Sequence, residues 1–154
     1  MNDWITIAIF ALITYTYIQF QILKGKQTKQ ALILGAFLAL FDLIVENLGG
    51  ILNLWTTKGS ILFLGYTPIE VTITAIFSGA ILYHLIPEKN KWQTTFIASL
   101  AIATLGMTME KVLIEKQLLT YYYNWNSIYA LIAYFATFVL MFKARKVIAN
   151  KIKP

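Results

Sequence analysis

Apolar residues fall in long unbroken runs along this chain, and polar residues gather in short clusters between them. The runs predict five helices. They cover about Trp4 to Leu23, Ala31 to Trp55, Pro68 to Ile86, Gln93 to Leu119 and Ser127 to Phe142. None shows the period-two alternation of a strand, and each approaches or exceeds the ~20 residues that cross a bilayer as a helix. The first run does not read as a cleaved signal peptide. It has no basic leader, carries Asp3 at its start, and is too long for the apolar part of a signal. The predicted fold is therefore all-α: one transmembrane domain over residues 1–154, a bundle of about five helices, with a basic tail over 143–154.

Composition changes the picture by exclusion. Of 154 residues, 58% are hydrophobic and 13% charged, with a mean hydropathy of +0.66. Soluble domains carry about a quarter charged residues, so a soluble enzyme, a disordered segment and a secreted disulfide scaffold are excluded. The absence of Cys removes thiol chemistry and iron–sulfur ligation, and a single His rules out a multi-histidine metal site. The sequence therefore predicts no thiol-ligated or multi-histidine metal site.

The net charge of +6 suggests nucleic acid until its placement is read. Lys24, Lys26, Lys29, Lys89, Lys91, Lys143, Arg145, Lys146, Lys151 and Lys153 fall on one side if the chain crosses five times. Only Lys58, Lys111 and Lys116 fall on the other. The positive-inside rule then predicts a multi-pass protein of the cell membrane with its amino terminus outside and its carboxyl terminus in the cytoplasm. The charge serves topology and attraction to anionic lipid rather than nucleic acid. The segment Lys143–Lys153, with Val147, Ile148 and Ile152 interleaved, reads as a short amphipathic stretch on the inner surface. Trp4, Trp55, Tyr66, Tyr121, Tyr122, Tyr123 and Trp125 near the outer boundary, and Tyr83 and Trp92 near the inner one, read as interfacial belt residues.

The acids carry the chemistry. Asp3 and Glu88 lie outside the spans, whereas Asp42, Glu46, Glu70, Glu110 and Glu115 fall between mid-membrane and the outer boundary. Asp42 and Glu46 are four apart and share a helix face, which Asn53 continues. Gly49 and Gly50 leave room there for a neighbouring backbone. Glu70 follows Pro68 in the first turn of its helix, where a carboxylate suits the dipole, and Thr74 and Ser78 extend a polar stripe below it. Glu110 sits above a ladder of small residues, Ser99, Ala103 and Gly106, that permits close packing. Each acid also has a plain reading: Glu70 as a helix-start carboxylate, Glu110 with Lys111 as a snorkelling pair, Glu115 with Lys116 as an interfacial pair. His84 reads as an interfacial residue. Asp42 and Glu46 resist such readings, because intramembrane carboxylates are costly and mark substrate paths, proton relays or polar cavities.

Residues 41–70 read Phe41-Asp42, Gly49-Gly50, Trp55, Gly59, Gly65 and Pro68-Ile69-Glu70. This order resembles the membrane lycopene cyclase domain of heterodimeric carotenoid β-cyclases and of fused cyclase–phytoene synthase proteins. The resemblance covers about 30 residues and rests on Asp42, Trp55, Pro68 and Glu70. Val71 departs from it, since the family usually has a second glutamate there. A weaker internal echo is present: Glu46 followed by Trp55 is repeated as Glu110 followed by Tyr121 to Trp125.

The resemblance implies cofactor-free, proton-initiated cyclisation of an isoprenoid or carotenoid, an isomerase activity. It implies Glu70 or Glu46 as proton donor, Asp42 and Glu110 as partner or final base, and Trp55 as a wall that steadies a cation. Asn53 and Thr74 would line the substrate site. The expected partners are a lipid-soluble isoprenoid substrate and membrane lipids, with a homo-oligomer or a partner subunit left open. One alternative is a non-enzymatic protein whose acidic cavity binds or transports a small cation or polar solute, and another is an assembly or scaffold subunit with no chemistry.

Overall fold

The structure, a computed structural model, describes residues 3–22, 27–86 and 92–151. Helix α1 (Asp3–Thr16) runs on as wider π-helical turns through Tyr17–Ile22, and α2 covers Thr28–Ile51. Three short strands follow: β1 (Trp55–Thr57), β2 (Phe63–Leu64) and β3 (Thr67–Pro68). Then come α3 (Ile69–Leu85), α4 (Trp92–Glu115), β4 (Leu119–Tyr121) and α5 (Ser127–Lys151). The architecture is all-α, with two two-stranded ribbons, β1–β4 and β2–β3, at one end of the bundle. Among the described residues four helices are long and apolar enough to cross a membrane: Asp3–Gln21, Thr28–Ile51, Trp92–Glu115 and Ser127–Lys151. Helix α3 is shorter. Its 17 residues span about 25 Å, less than the roughly 30 Å hydrocarbon core.

Helices α2 and α3 meet most closely, at two glycines. A Cβ on Gly35 would lie 2.1 Å from the Ile76 carbonyl oxygen, and one on Gly79 would lie 2.8 Å from the Gly35 Cα. Only hydrogen fits there, so the two backbones touch. Leu34, Ala80, Tyr83, Ile86 and Met141 close the core between α2, α3 and α5 at the end away from the ribbons.

The carboxyl-terminal segment differs from the expected surface stretch. Helix α5 does not stop at Phe142 but continues to Lys151. Arg145 is buried, donates from Nε to the Tyr83 carbonyl at 3.3 Å, and stacks its guanidinium 4.9 Å from the Tyr83 ring centre. Packing of this arginine holds the end of α5 against α3. Of the other basic residues used to orient the chain, Lys24, Lys26, Lys89, Lys91 and Lys153 lie outside the described residues, as does Glu88.

The internal echo has a structural counterpart. Adding 64 to the bounds of α2 (28 and 51) gives those of α4 (92 and 115), and adding 64 to those of β1 (55 and 57) gives β4 (119 and 121). Both helices end in the same turn. Asn53 and Gln117 adopt left-handed backbone, φ 53° and 58°, and the N–H groups of Leu54 and Leu118 return to the carbonyls of Gly49 and Leu113 at 2.8 and 2.9 Å. The strands then pair antiparallel with Thr56 opposite Thr120. Flanking bonds run from Lys58 N–H to the Leu118 carbonyl and from Tyr122 N–H to the Leu54 carbonyl. Under the 64-residue shift these two bonds exchange places. The chain thus contains two related helix–turn–strand units meeting about a local pseudo-twofold axis at Thr56 and Thr120.

Candidate active site

The two units each bring a glutamate beneath the ribbon. Asp42 and Glu46 lie one turn apart on α2, and Glu110 occupies on α4 the place of Glu46 on α2. Trp55 donates from Nε1 to Glu46 Oε2 at 2.9 Å. Gly49 makes that possible, since a Cβ there would sit 2.1 Å from the indole Cζ2. Glu110 accepts from the Tyr134 hydroxyl at 2.8 Å and from the Tyr121 hydroxyl. Trp55 and Tyr121 are register partners, so one ribbon supplies a donor to each glutamate. Burial, together with the Glu110 carboxylate, pushes the Tyr121 phenol above its ordinary value, so it keeps its proton and donates.

These groups border a cavity of about 210 Å³ between α2, α3 and α5. Its walls are mostly apolar, with Leu38, Phe41, Val45, Val71, Ala75 and Phe138 among them. Asp42, Glu46 and Glu110 supply its carboxyls, and among the described residues no basic side chain lines it. Asp42 Oδ2 is buried and has no hydrogen-bond partner among the described residues. An aromatic wall stands at the ribbon end, with Trp125 packed on Trp55 at 4.8 Å between ring centres and on Tyr129 at 5.8 Å. Among the described residues no three His, Cys, Asp or Glu side chains are grouped so as to hold a metal ion.

Of the residues singled out in the sequence, Asp42, Glu46, Glu110, Trp55 and Thr74 line this cavity. Thr74 donates its hydroxyl to the Glu70 carbonyl at 2.8 Å, within its own helix. Glu70 does not line it. Its carboxylate accepts from the Ser60 hydroxyl and from Ile61 N–H at 3.1 Å, which ties the loop after β1 to the start of α3. Asn53 is also elsewhere: it is exposed, in the left-handed turn that ends α2. The sequence reading passed over Tyr134 and Thr137 as site residues, and treated Tyr121 and Trp125 as belt residues. Only the 64-residue shift, which aligns Glu110 with Glu46, points toward this second half of the site.

Other expectations are revised as well. Lys116 pairs with Asp3 at 2.9 Å rather than with Glu115. Gly49 and Gly50 accommodate the rings of Trp55 and Tyr66 rather than a backbone. Trp4, Trp55 and Tyr83 are buried, whereas Tyr66, Tyr122, Tyr123 and Trp92 are exposed as belt residues should be. His84 Nε2 bonds Gln19 Oε1 at 2.9 Å and so links α3 to the π-helical turns. Comparison with known protein families, with curated proteins and with solved structures finds no match.

Proposed function

We propose that this membrane protein is a lycopene cyclase-like isomerase that closes a ring at the end of a linear isoprenoid by acid–base chemistry. The observation that carries this reading is the set of three carboxyls at one apolar cavity, each in a different hydrogen-bonding state. Asp42, with no donor to hold it as a carboxylate at Oδ2, is the acid. Its proton adds to the terminal alkene, and the positive carbon that results is attacked by a second double bond, which forms the ring carbon–carbon bond. Loss of a ring proton to Glu46 restores an alkene. Glu46 is one turn from Asp42 on the same helix face, so the proton can return along α2. Atoms and electrons balance without a cofactor, and the product is an isomer of the substrate. Glu110, fixed by two phenols, offsets the transient positive charge. The faces of Trp55 and Trp125 steady it.

Size agrees with this assignment. An apolar cavity of about 150 Å³ holds one benzene, so 210 Å³ suits one methyl-substituted ring. In the membrane, the excess of basic residues predicts the amino terminus and the ribbons outside and the carboxyl terminus in the cytoplasm of a five-crossing chain. The rival reading, a cavity that binds a small cation, draws on a lining with three carboxyls and, among the described residues, no basic side chain. Expression in cells that accumulate linear isoprenoids separates the two. Wild type yields ring-containing isomers of unchanged mass, and Asp42→Asn abolishes them while the protein remains folded. Isomers that persist in both Asp42→Asn and Glu46→Gln overturn the acid–base reading.

A further inference from the structure

A second cavity, of about 410 Å³, lies behind the first. Helix α1 packs on α3 and α4 packs on α5, and the space left between α1 and α4 over α3 forms this groove. Val71, Thr74, Glu110 and Tyr134 line both spaces. From Val71 to Ile81 the groove follows α3 for ten residues, about 15 Å. Small residues on three sides, Ala11, Ser78 and Gly106, widen it at mid-depth. Toward the ribbon it is closed, because Trp4 donates from Nε1 to the Lys58 carbonyl at 2.7 Å and Asp3 pairs with Lys116. Toward lipid it is open, where Phe10 is 71% exposed.

We infer that this groove holds the unreacted chain of the isoprenoid whose end group occupies the acidic cavity. The inference rests on the proposed function. Its grounds are the shared wall, the size of the first cavity, which fits a ring and not a long chain, and a side opening that admits a molecule dissolved in the bilayer. The chain would pass Val71 and Thr74 beside the Glu110–Tyr134 pair, so the groove rather than the acids would set the chain length accepted. The occupant is a methyl-branched isoprenoid chain, to which the mid-depth widening is suited.

The test uses the full-length protein in phosphatidylcholine nanodiscs with three photoactivatable probes: a tetraterpene-length linear isoprenoid, a monoterpene-length one, and a phosphatidylcholine with a labelled acyl chain. Cross-links are mapped by mass spectrometry. The long probe is expected on Phe10, Ile81 and Met109 well above the exposed Leu100 and Ile132, and the short probe in the acidic cavity. Ser78 is exposed, so Ser78→Phe places its ring in the groove without disturbing the core. It should lower long-probe labelling of the groove about tenfold and leave short-probe labelling of the cavity unchanged. Met109→Trp, which fills the groove from the opposite side, should do the same. Long-probe labelling that survives both variants, or acyl-chain labelling of the groove as strong as that by the long probe, overturns the inference and leaves the cyclase reading standing. Absence of short-probe labelling in the acidic cavity overturns both.

Discussion

Trp55 faces Tyr121 across the β1–β4 ribbon, and each reaches a glutamate on the helix of its own unit, Trp55 to Glu46 and Tyr121 to Glu110. A ribbon of three residue pairs therefore fixes two intramembrane carboxyls relative to each other. In a low-dielectric setting such donors matter more than in water, because the alternative is a buried oxygen without a partner.

Replacing Trp55 by Phe tests this coupling. Phe keeps an aromatic face but removes the Nε1–H, which leaves Glu46 Oε2 without its donor. We expect a loss of about 1–3 kcal/mol in stability, read by thermal unfolding in detergent. An unchanged midpoint would show that the bond does not hold the ribbon down.

Glycines at the α2–α3 contact should tolerate nothing larger. Gly35→Leu drives a side chain into the Ile76 carbonyl, 2.1 Å from its first carbon. Separation of the helices should cost more than the ~1–3 kcal/mol of ordinary overpacking. Gly106→Ala is the contrasting case: the atoms nearest its Cβ would be those of the Tyr134 ring, at 3.2 to 3.3 Å. The prediction fails if the two variants unfold at the same temperature.

Glu70 should behave as a structural residue. Glu70→Ala leaves the Ile61 N–H without its acceptor and the Ser60 hydroxyl with only the Leu62 carbonyl, and should destabilise by about 1–3 kcal/mol. Glu70→Gln keeps one acceptor and should lose less, and product should still form in both. Loss of product in a well-folded Glu70→Gln would return this carboxylate to the chemistry.

The helices were legible because a continuous apolar run of spanning length has few other interpretations. The Asp42–Glu46 face was legible for the same kind of reason, since four-residue spacing fixes a helix face regardless of tertiary context. Glu70 was grouped with the cavity acids because a helix-start acid and a catalytic acid have the same local sequence. Only the fold shows that the β1–β2 loop returns to Glu70 and claims both of its oxygens. Tyr134 was illegible because its partner Glu110 lies 24 residues away on another helix, and no periodicity links them. Arg145 was misplaced because a basic cluster at a chain end reads as surface, whereas the Tyr83 ring and carbonyl offered it a buried seat. The repeat was faint in sequence because its conserved element is geometry: the left-handed turns at Asn53 and Gln117 and the Thr56–Thr120 pair persist while most side chains differ.

Topology is open to a direct check. A reporter placed after Pro154 should be cytoplasmic and one placed before Met1 external, as the distribution of basic residues predicts for five crossings. Reporters on the same side would mean that α3, the short helix, does not cross.

A proton from a cavity carboxyl that starts ring closure is traced by conversion in heavy water. Membranes holding the wild-type chain, given a linear isoprenoid made in ordinary water and incubated in heavy water, should yield a cyclised product with one deuterium retained at the carbon that was protonated, and Asp42→Asn should yield none. A cyclised product without that deuterium, or no cyclised product from the wild-type chain, would overturn the acid–base reading.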